Sequence, residues 1–167
     1  ASAACATYVG ATPVVLDVDP ATLNLDPGGV PADLDALVAV HYAGLPVELE
    51  RLATRPRVVI EDAAHALGAR TPDGPVGNCA HSEMCCFSFH PVKVVTTGEG
   101  GAVTTNDDAL ATALRRFGHH GVVRRPDLGG WAYEIVEEGH NLRLSDIAAA
   151  LGTSQLGKLE RFVARRN

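Results

Sequence analysis

The chain has 167 residues, 46% hydrophobic and 20% charged, which is enough apolar surface for one ordinary domain with a sizeable core. Its formal net charge of -6 and its short, scattered arginine pairs (Arg115/Arg116, Arg124/Arg125, Arg165/Arg166) argue against a polyanion-binding face, so nucleic acid is not an expected partner. No run approaches membrane-spanning length, and the irregularly spaced Cys5, Cys79, Cys85 and Cys86 read as free thiols, so a cytoplasmic protein without a membrane partner is expected.

The start, Ala1-Ser2-Ala3-Ala4, has neither an initiator Met nor the basic-then-apolar layout of a secretory signal. Short runs rich in Val and Ile, set between Gly, Pro and Asp clusters, then predict buried strands over residues 13–18, 36–41, 57–61, 84–89 and 101–105. Residues 20–31 and 124–130 are turn-rich loops within one domain. A helix is predicted over 107–117, with Asn106 as N-cap, Leu110, Leu114 and Phe117 on one face, and Gly118 as terminator. Ser145 caps a last long helix whose period continues through Leu156, Leu159 and Phe162. It runs to Asn167 without a Gly or Pro terminator, and the chain is expected to be incomplete at both ends. Strands alternating with helices predict an α/β fold with a mostly parallel sheet covered on both faces.

Three constellations stand out against this frame. The first is Glu61-Asp62-Ala63-Ala64-His65, carboxylates at a strand end, where open α/β sheets bind ligands; taken alone, Asp62 reads more readily as a turn cap. In the second, Phe87-Ser88-Phe89-His90-Pro91-Val92-Lys93 leads from a strand into Thr96-Thr97-Gly98-Glu99-Gly100-Gly101. A lysine between a hydroxyl-bearing strand end and a glycine-rich turn suits a Schiff base, although a lone loop lysine is ordinarily only solvated. Gly98-Glu99-Gly100 lacks the third glycine of a dinucleotide fingerprint, no glycine precedes Lys93 as a P-loop requires, and Ser88 lacks the glycines of a nucleophile elbow.

The third constellation places Asn141 and Arg143 just before a helix start, either an anion site or an ordinary capped entrance. Trp131 and Tyr133 form an aromatic island that serves packing or substrate stacking. Cys79, His81, Cys85 and Cys86 match no zinc template, and His119-His120 reads as a polar loop, so no metal is expected.

Together these residues resemble the DegT/StrS-type nucleotide-sugar aminotransferases, fold-type I pyridoxal phosphate enzymes. The likeness runs from Gly10-Ala11-Thr12-Pro13-Val14 and Val18-Asp19-Pro20, through the Glu61 and Phe87-to-Lys93 motifs, to residues 141–159, covering essentially the whole chain. It implies the three-layer, mostly parallel sheet of the fold-type I large domain, with this chain as its central and C-terminal part. An upstream phosphate-gripping turn and a small C-terminal domain of the family have no counterpart here. Within the family, Val76-Gly77-Asn78-Cys79, Phe87 through Lys93, and Trp131 with Tyr133-Glu134 look most like the 4-aminotransferases of the pseudaminic acid pathway.

By this resemblance Lys93 is the catalytic residue and covalent anchor of pyridoxal 5'-phosphate, and Asp62 pairs with the pyridinium nitrogen. His65 lies against the ring, Ser88 donates to the phosphate, and Asn141 reaches the phosphate of a neighbouring subunit, which implies a homodimer. Arg143 and His90 are implied as substrate or interface residues. The implied reaction moves an amino group from an amino acid, glutamate foremost, to a keto-deoxy nucleotide sugar. Two rival readings remain at this stage: a non-catalytic remnant or interaction module of the family, and a metal-binding domain built on Cys79 to Cys86.

Overall fold

The computed structural model describes residues 1–166 and places, in chain order, α1 (Ala4–Tyr8), β1 (Ala36–Val40), β2 (Val58–Asp62), β3 (Arg70–Thr71), β4 (Gly74–Pro75), β5 (Met84–Ser88), β6 (Gly101–Thr104), α2 (Asp108–Phe117), β7 (Val122–Arg124), β8 (Tyr133–Ile135), α3 (Asp146–Leu156) and α4 (Leu159–Ala164). One four-stranded sheet, in the order β1-β2-β5-β6, organises the rest. β1, β2 and β5 are parallel, with Val40 opposite Asp62 and Asp62 opposite Cys86. β6 runs antiparallel to β5, with Ser88 opposite Gly101. The sheet is therefore α/β and mostly parallel, as the alternation of runs predicts.

Because side chains alternate across a strand, Leu37, Ala39, Val59, Glu61 and Cys85 share one face. All five are buried, and Ala39, Val59 and Cys85 completely so. Val30, Val47 and Leu49 close over the β1 and β2 part of this face, and Ala63, Ala66, Val76 and Cys79 over the part next to β5. Sequestering one side chain the size of Val59 is worth roughly 1.5–3 kcal/mol. The opposite face, carrying Val38, Val40, Ile60, Asp62, Cys86 and Ser88, is only partly buried, which leaves its polar groups accessible.

Four predicted strands form, and the fifth does not. Residues 13–18 lie outside any strand and join the fold only through an isolated bridge between Val18 and Leu25. Val14 and Val15 are 59% and 85% exposed, because among the described residues no strand runs alongside to take up their backbone groups. The α2 cap also shifts by one residue: the Asp107 carboxylate accepts from the amides of Ala109 and Leu110. Asn106 turns away and donates to the Asn78 carbonyl at 2.8 Å.

Ser145 does cap α3, accepting from the Ala148 amide. The last helix breaks in two at Gly157-Lys158 rather than running on, since the orphan carbonyls of α3 are closed by Gly157 before α4 starts. The small β3-β4 and β7-β8 hairpins are too short to have announced themselves by periodicity.

Candidate active site

Asp62 ends β2. Its Oδ1 accepts from the Ala64 amide at 3.1 Å, and its Oδ2 accepts the Ser2 hydroxyl at 2.5 Å, which ties the first turn of the chain to the strand end. The register places Cys86 beside Asp62 on β5, and Ser88 stands two residues further along the same face. A carboxylate and a hydroxyl thus project from adjacent parallel strands at their C-terminal ends, where open α/β sheets take ligands. The Ser88 oxygen accepts from the His90 amide at 3.3 Å, so its own proton is left to donate elsewhere.

From Ser88 the chain enters the loop carrying Lys93 and returns in β6. The Phe89 amide donates to the Gly100 carbonyl at 2.8 Å, and the Phe89 carbonyl accepts from the Thr97 amide at 3.0 Å, so the loop is pinched at its base. The Lys93 amide closes a turn onto the His90 carbonyl at 3.0 Å. Gly100 adopts a φ of +154°, and a Cβ there would stand 2.5 Å from Thr97 Oγ1 and 2.8 Å from Leu144 Cδ1. Only glycine fits that position. Arg166 donates to the Lys93 carbonyl at 3.3 Å, so the segment after α4 braces the loop from outside.

The Lys93 side chain is half-buried, and among the described residues its amine pairs with no carboxylate. His65 is exposed, three residues beyond Asp62 in the same loop. His90 is exposed and turned back on its own loop: Nδ1 accepts from the Val92 amide at 3.4 Å, and Nε2 lies 3.8 Å from Glu99. Asn141 bridges to His119, and the Arg143 guanidinium donates to His119 Nδ1 at 2.7 Å. Among the described residues neither Asn141 nor Arg143 hydrogen-bonds Asp62, Ser88 or Lys93. The structure therefore gathers Asp62, Ser88 and the Lys93 loop at one end of the sheet, while Asn141 and Arg143 are exposed and bonded elsewhere.

Trp131 is 82% and Tyr133 61% exposed on the β7-β8 hairpin, so neither is buried in a core among the described residues. Cys79 donates to the Thr104 carbonyl, and burial pushes the Cys85 thiol far up. His81 pairs with Asp73 at 3.0 Å. Among the described residues, no three His, Cys, Asp or Glu side chains converge as a metal site.

Ser2, His41 and Ser82 carry site contacts that sequence reasoning missed. Ser2 lies 60 residues from Asp62, and Ser82 lies 21 from its partner Glu61, so no local pattern links them.

The donor set fits pyridoxal 5'-phosphate. It offers a carboxylate for a protonated ring nitrogen, a hydroxyl proton for phosphate, and a primary amine for an aldehyde. Beside them Gly98 faces open space, where an added Cβ would meet nothing within 4 Å.

Comparison with known proteins bears on the same chemistry. A sequence model of the DegT/DnrJ/EryC1/StrS aminotransferase family matches residues 1–167. MJ1066 of Methanocaldococcus jannaschii, an uncharacterized protein, is 37% identical over 169 residues, spanning 93% of this chain and 43% of that protein. Spr1654 of Streptococcus pneumoniae, assigned as a sugar aminotransferase and solved in its PMP form, superposes with a TM-score of 0.86 at 28% identity, covering 99% of this chain and 49% of that one. PseC of Helicobacter pylori, an aminotransferase of pseudaminic acid biosynthesis, gives a TM-score of 0.82 at 33% identity over 93% of this chain and 42% of its own. The chain thus spans less than half the length of each of these relatives.

Proposed function

Because the chain belongs to the DegT/DnrJ/EryC1/StrS aminotransferase family, whose enzymes use pyridoxal phosphate, we propose that it is the cofactor-binding part of the large domain of a nucleotide-sugar aminotransferase. It moves an amino group from an amino acid, L-glutamate, to a keto-deoxy nucleotide sugar. The observation that carries this reading is the shared placement of Asp62, Ser88 and the Lys93 loop at the C-terminal ends of β2 and β5. The kinship with PseC supports the finer reading, a UDP-linked 4-keto-6-deoxy amino sugar aminated at C4 on the route to pseudaminic acid, as in a UDP-4-amino-4,6-dideoxy-N-acetyl-β-L-altrosamine transaminase.

When bound, pyridoxal phosphate supplies an aldehyde for covalent capture of amines and a ring that withdraws electrons. Lys93 would be its anchor, and its Nζ, once free, would carry the proton between the substrate carbon and C4′ of the cofactor, acting as base and then acid. Asp62 would hold the proton on the ring nitrogen, His65 would lie against the ring, and the Ser88 hydroxyl would donate to the phosphate. Asn141 serves the phosphate site of a neighbouring subunit in a homodimer, consistent with its exposure, and Arg143 and His90 contact substrate or the subunit interface. Among the described residues no helix is long and apolar enough to cross a membrane.

The test is spectroscopic and then catalytic. Purified protein with added pyridoxal phosphate should develop the visible absorbance of a lysine-bound cofactor, and Lys93→Ala should lose it. With glutamate and a UDP-linked 4-keto sugar, mass spectrometry should find the amino sugar. A band that survives Lys93→Ala sinks the assignment of the lysine. Cofactor binding without any turnover favours a non-catalytic member of the family.

A further inference from the structure

On the buried face of the sheet, directly behind Asp62, three polar side chains meet where the surroundings are otherwise apolar. His41 is 1%, Glu61 7% and Ser82 9% exposed. His41 Nε2 lies 2.7 Å from Glu61 Oε2, and the Ser82 hydroxyl donates to Glu61 Oε1. The Val47 amide donates to His41 Nδ1 at 3.1 Å, which fixes that nitrogen as the acceptor and leaves the proton on Nε2, facing the carboxylate. Every polar atom in the trio is satisfied.

An apolar trio of the same volume would stabilise a core at least as well, since desolvating a carboxylate is costly even when it is paired. What such a trio could not supply is direction. His41 grips both residues of the Glu61-Asp62 pair, Glu61 through its imidazole and Asp62 through its own amide, which donates to the Asp62 carbonyl at 3.1 Å. The turn that follows His41 is itself braced. Asn24, 5% exposed, accepts from the Tyr42 amide and donates to the Leu45 carbonyl, both at 2.9 Å. Gly44 at φ +94° lies so near the next loop that a Cβ would stand 2.9 Å from the His65 carbonyl oxygen. From the other side, Ser82 enters just before β5, and the Ala63 amide donates to the Cys86 carbonyl at 2.9 Å. β1, β2 and β5 are thus all pinned around Asp62, two of them through Glu61.

We infer that His41, Glu61 and Ser82 are positioning residues that act through Asp62, holding the end of β2 so that its carboxylate stays aimed at the ring nitrogen of the cofactor. This rests on the proposed role of Asp62. None of the three touches the cofactor, because Glu61 and Asp62 alternate to opposite faces of the sheet. The network sets the angle of approach from behind.

A double-mutant cycle on pyridoxal phosphate affinity tests it, with the purified holoenzyme stripped of cofactor and retitrated by absorbance. Glu61→Ala should weaken binding about tenfold, and Glu61→Gln, which can still accept from His41 and donate to Ser82, should recover most of it. In an Asp62→Asn background, Glu61→Ala should add no further loss. An equal fold-loss in both backgrounds, or no loss in either, overturns the inference, because a merely structural role weakens binding whatever occupies position 62. If Asp62→Asn alone binds as tightly as the unsubstituted protein, the ring-nitrogen role of Asp62 fails instead. Should Glu61→Ala not fold, Ser82→Ala, which removes a single hydrogen bond, runs the same cycle with an expected loss of about threefold.

Discussion

Gly152 of α3 is buried against Thr97 so closely that an added Cβ would stand 2.8 Å from Thr97 Cγ2. Through this contact α3 presses on the loop that carries Lys93. Gly152→Ala should therefore cost about 1–3 kcal/mol in denaturant unfolding, the usual range for overpacking. Adding Thr97→Ser, which deletes the offending methyl, should restore much of the loss. If the double variant is no more stable than Gly152→Ala, the contact is not the cause.

Asp62→Asn keeps the shape of the side chain and removes its charge. The lysine-bound cofactor band should persist at saturating cofactor, while turnover falls roughly 10²–10³-fold, the range for losing one preorganised electrostatic partner. Single-turnover kinetics with glutamate would read it directly. A variant with unchanged turnover would remove Asp62 from the chemistry.

Glu61 supplies a stability-versus-pH prediction. Burial pushes its carboxyl up, but the hydrogen bonds from His41 and Ser82 outweigh that and hold it below the usual 4.5. A depressed folded-state value means that the unfolded chain binds the extra proton first as pH falls. The contribution is full above about pH 4.5 and is lost as pH drops through the lower folded value. The stability gap between the unsubstituted protein and Glu61→Gln should therefore narrow steadily below pH 4.5 in denaturant titrations. A gap constant across that range would show that the carboxylate is not stabilised by its donors.

Thiol labelling offers an independent view of the site. Cys5 is exposed, Cys79 and Cys85 are buried, and Cys86 is half-buried beside Asp62. Burial and then the Asp62 carboxylate push the Cys86 thiol up, and burial does the same for Cys85. Timed alkylation read by mass spectrometry should find Cys5 modified first, Cys86 slowly, and Cys79 and Cys85 only on unfolding. Pyridoxal phosphate should slow Cys86 selectively. Equal protection of Cys5 and Cys86 would point to global tightening rather than a ligand on that face.

The strands at 36–40, 58–62, 84–88 and 101–104 were legible because an apolar run that is buried in a sheet looks the same wherever it sits. Residues 13–18 carry the same signal and form no strand, since pairing needs a neighbour that composition cannot report. Asp62, Ser88 and Lys93 could be read as candidates because each sits at a strand end or in a glycine-rich loop. The network behind them could not. His41, Glu61 and Ser82 are 20 and 21 residues apart along the chain, and only the parallel register of β1, β2 and β5 makes them neighbours. Asn106 is a good cap by residue type, but the carbonyls of Asn78 and Cys79 claim its side chain and the cap passes to Asp107.

The antiparallel course of β6 limits how this region can vary in length. A parallel neighbour would have required a long crossover with slack to absorb inserted residues. Here residues 89–100 leave β5 and return to the adjacent strand, with Phe89 hydrogen-bonded to Gly100 at the mouth. An insertion or deletion between Ser88 and Gly101 has nowhere to dissipate and must displace Lys93 along its own tether. Substitutions around the lysine can be absorbed one side chain at a time, whereas a change in spacing would move the reactive amine itself.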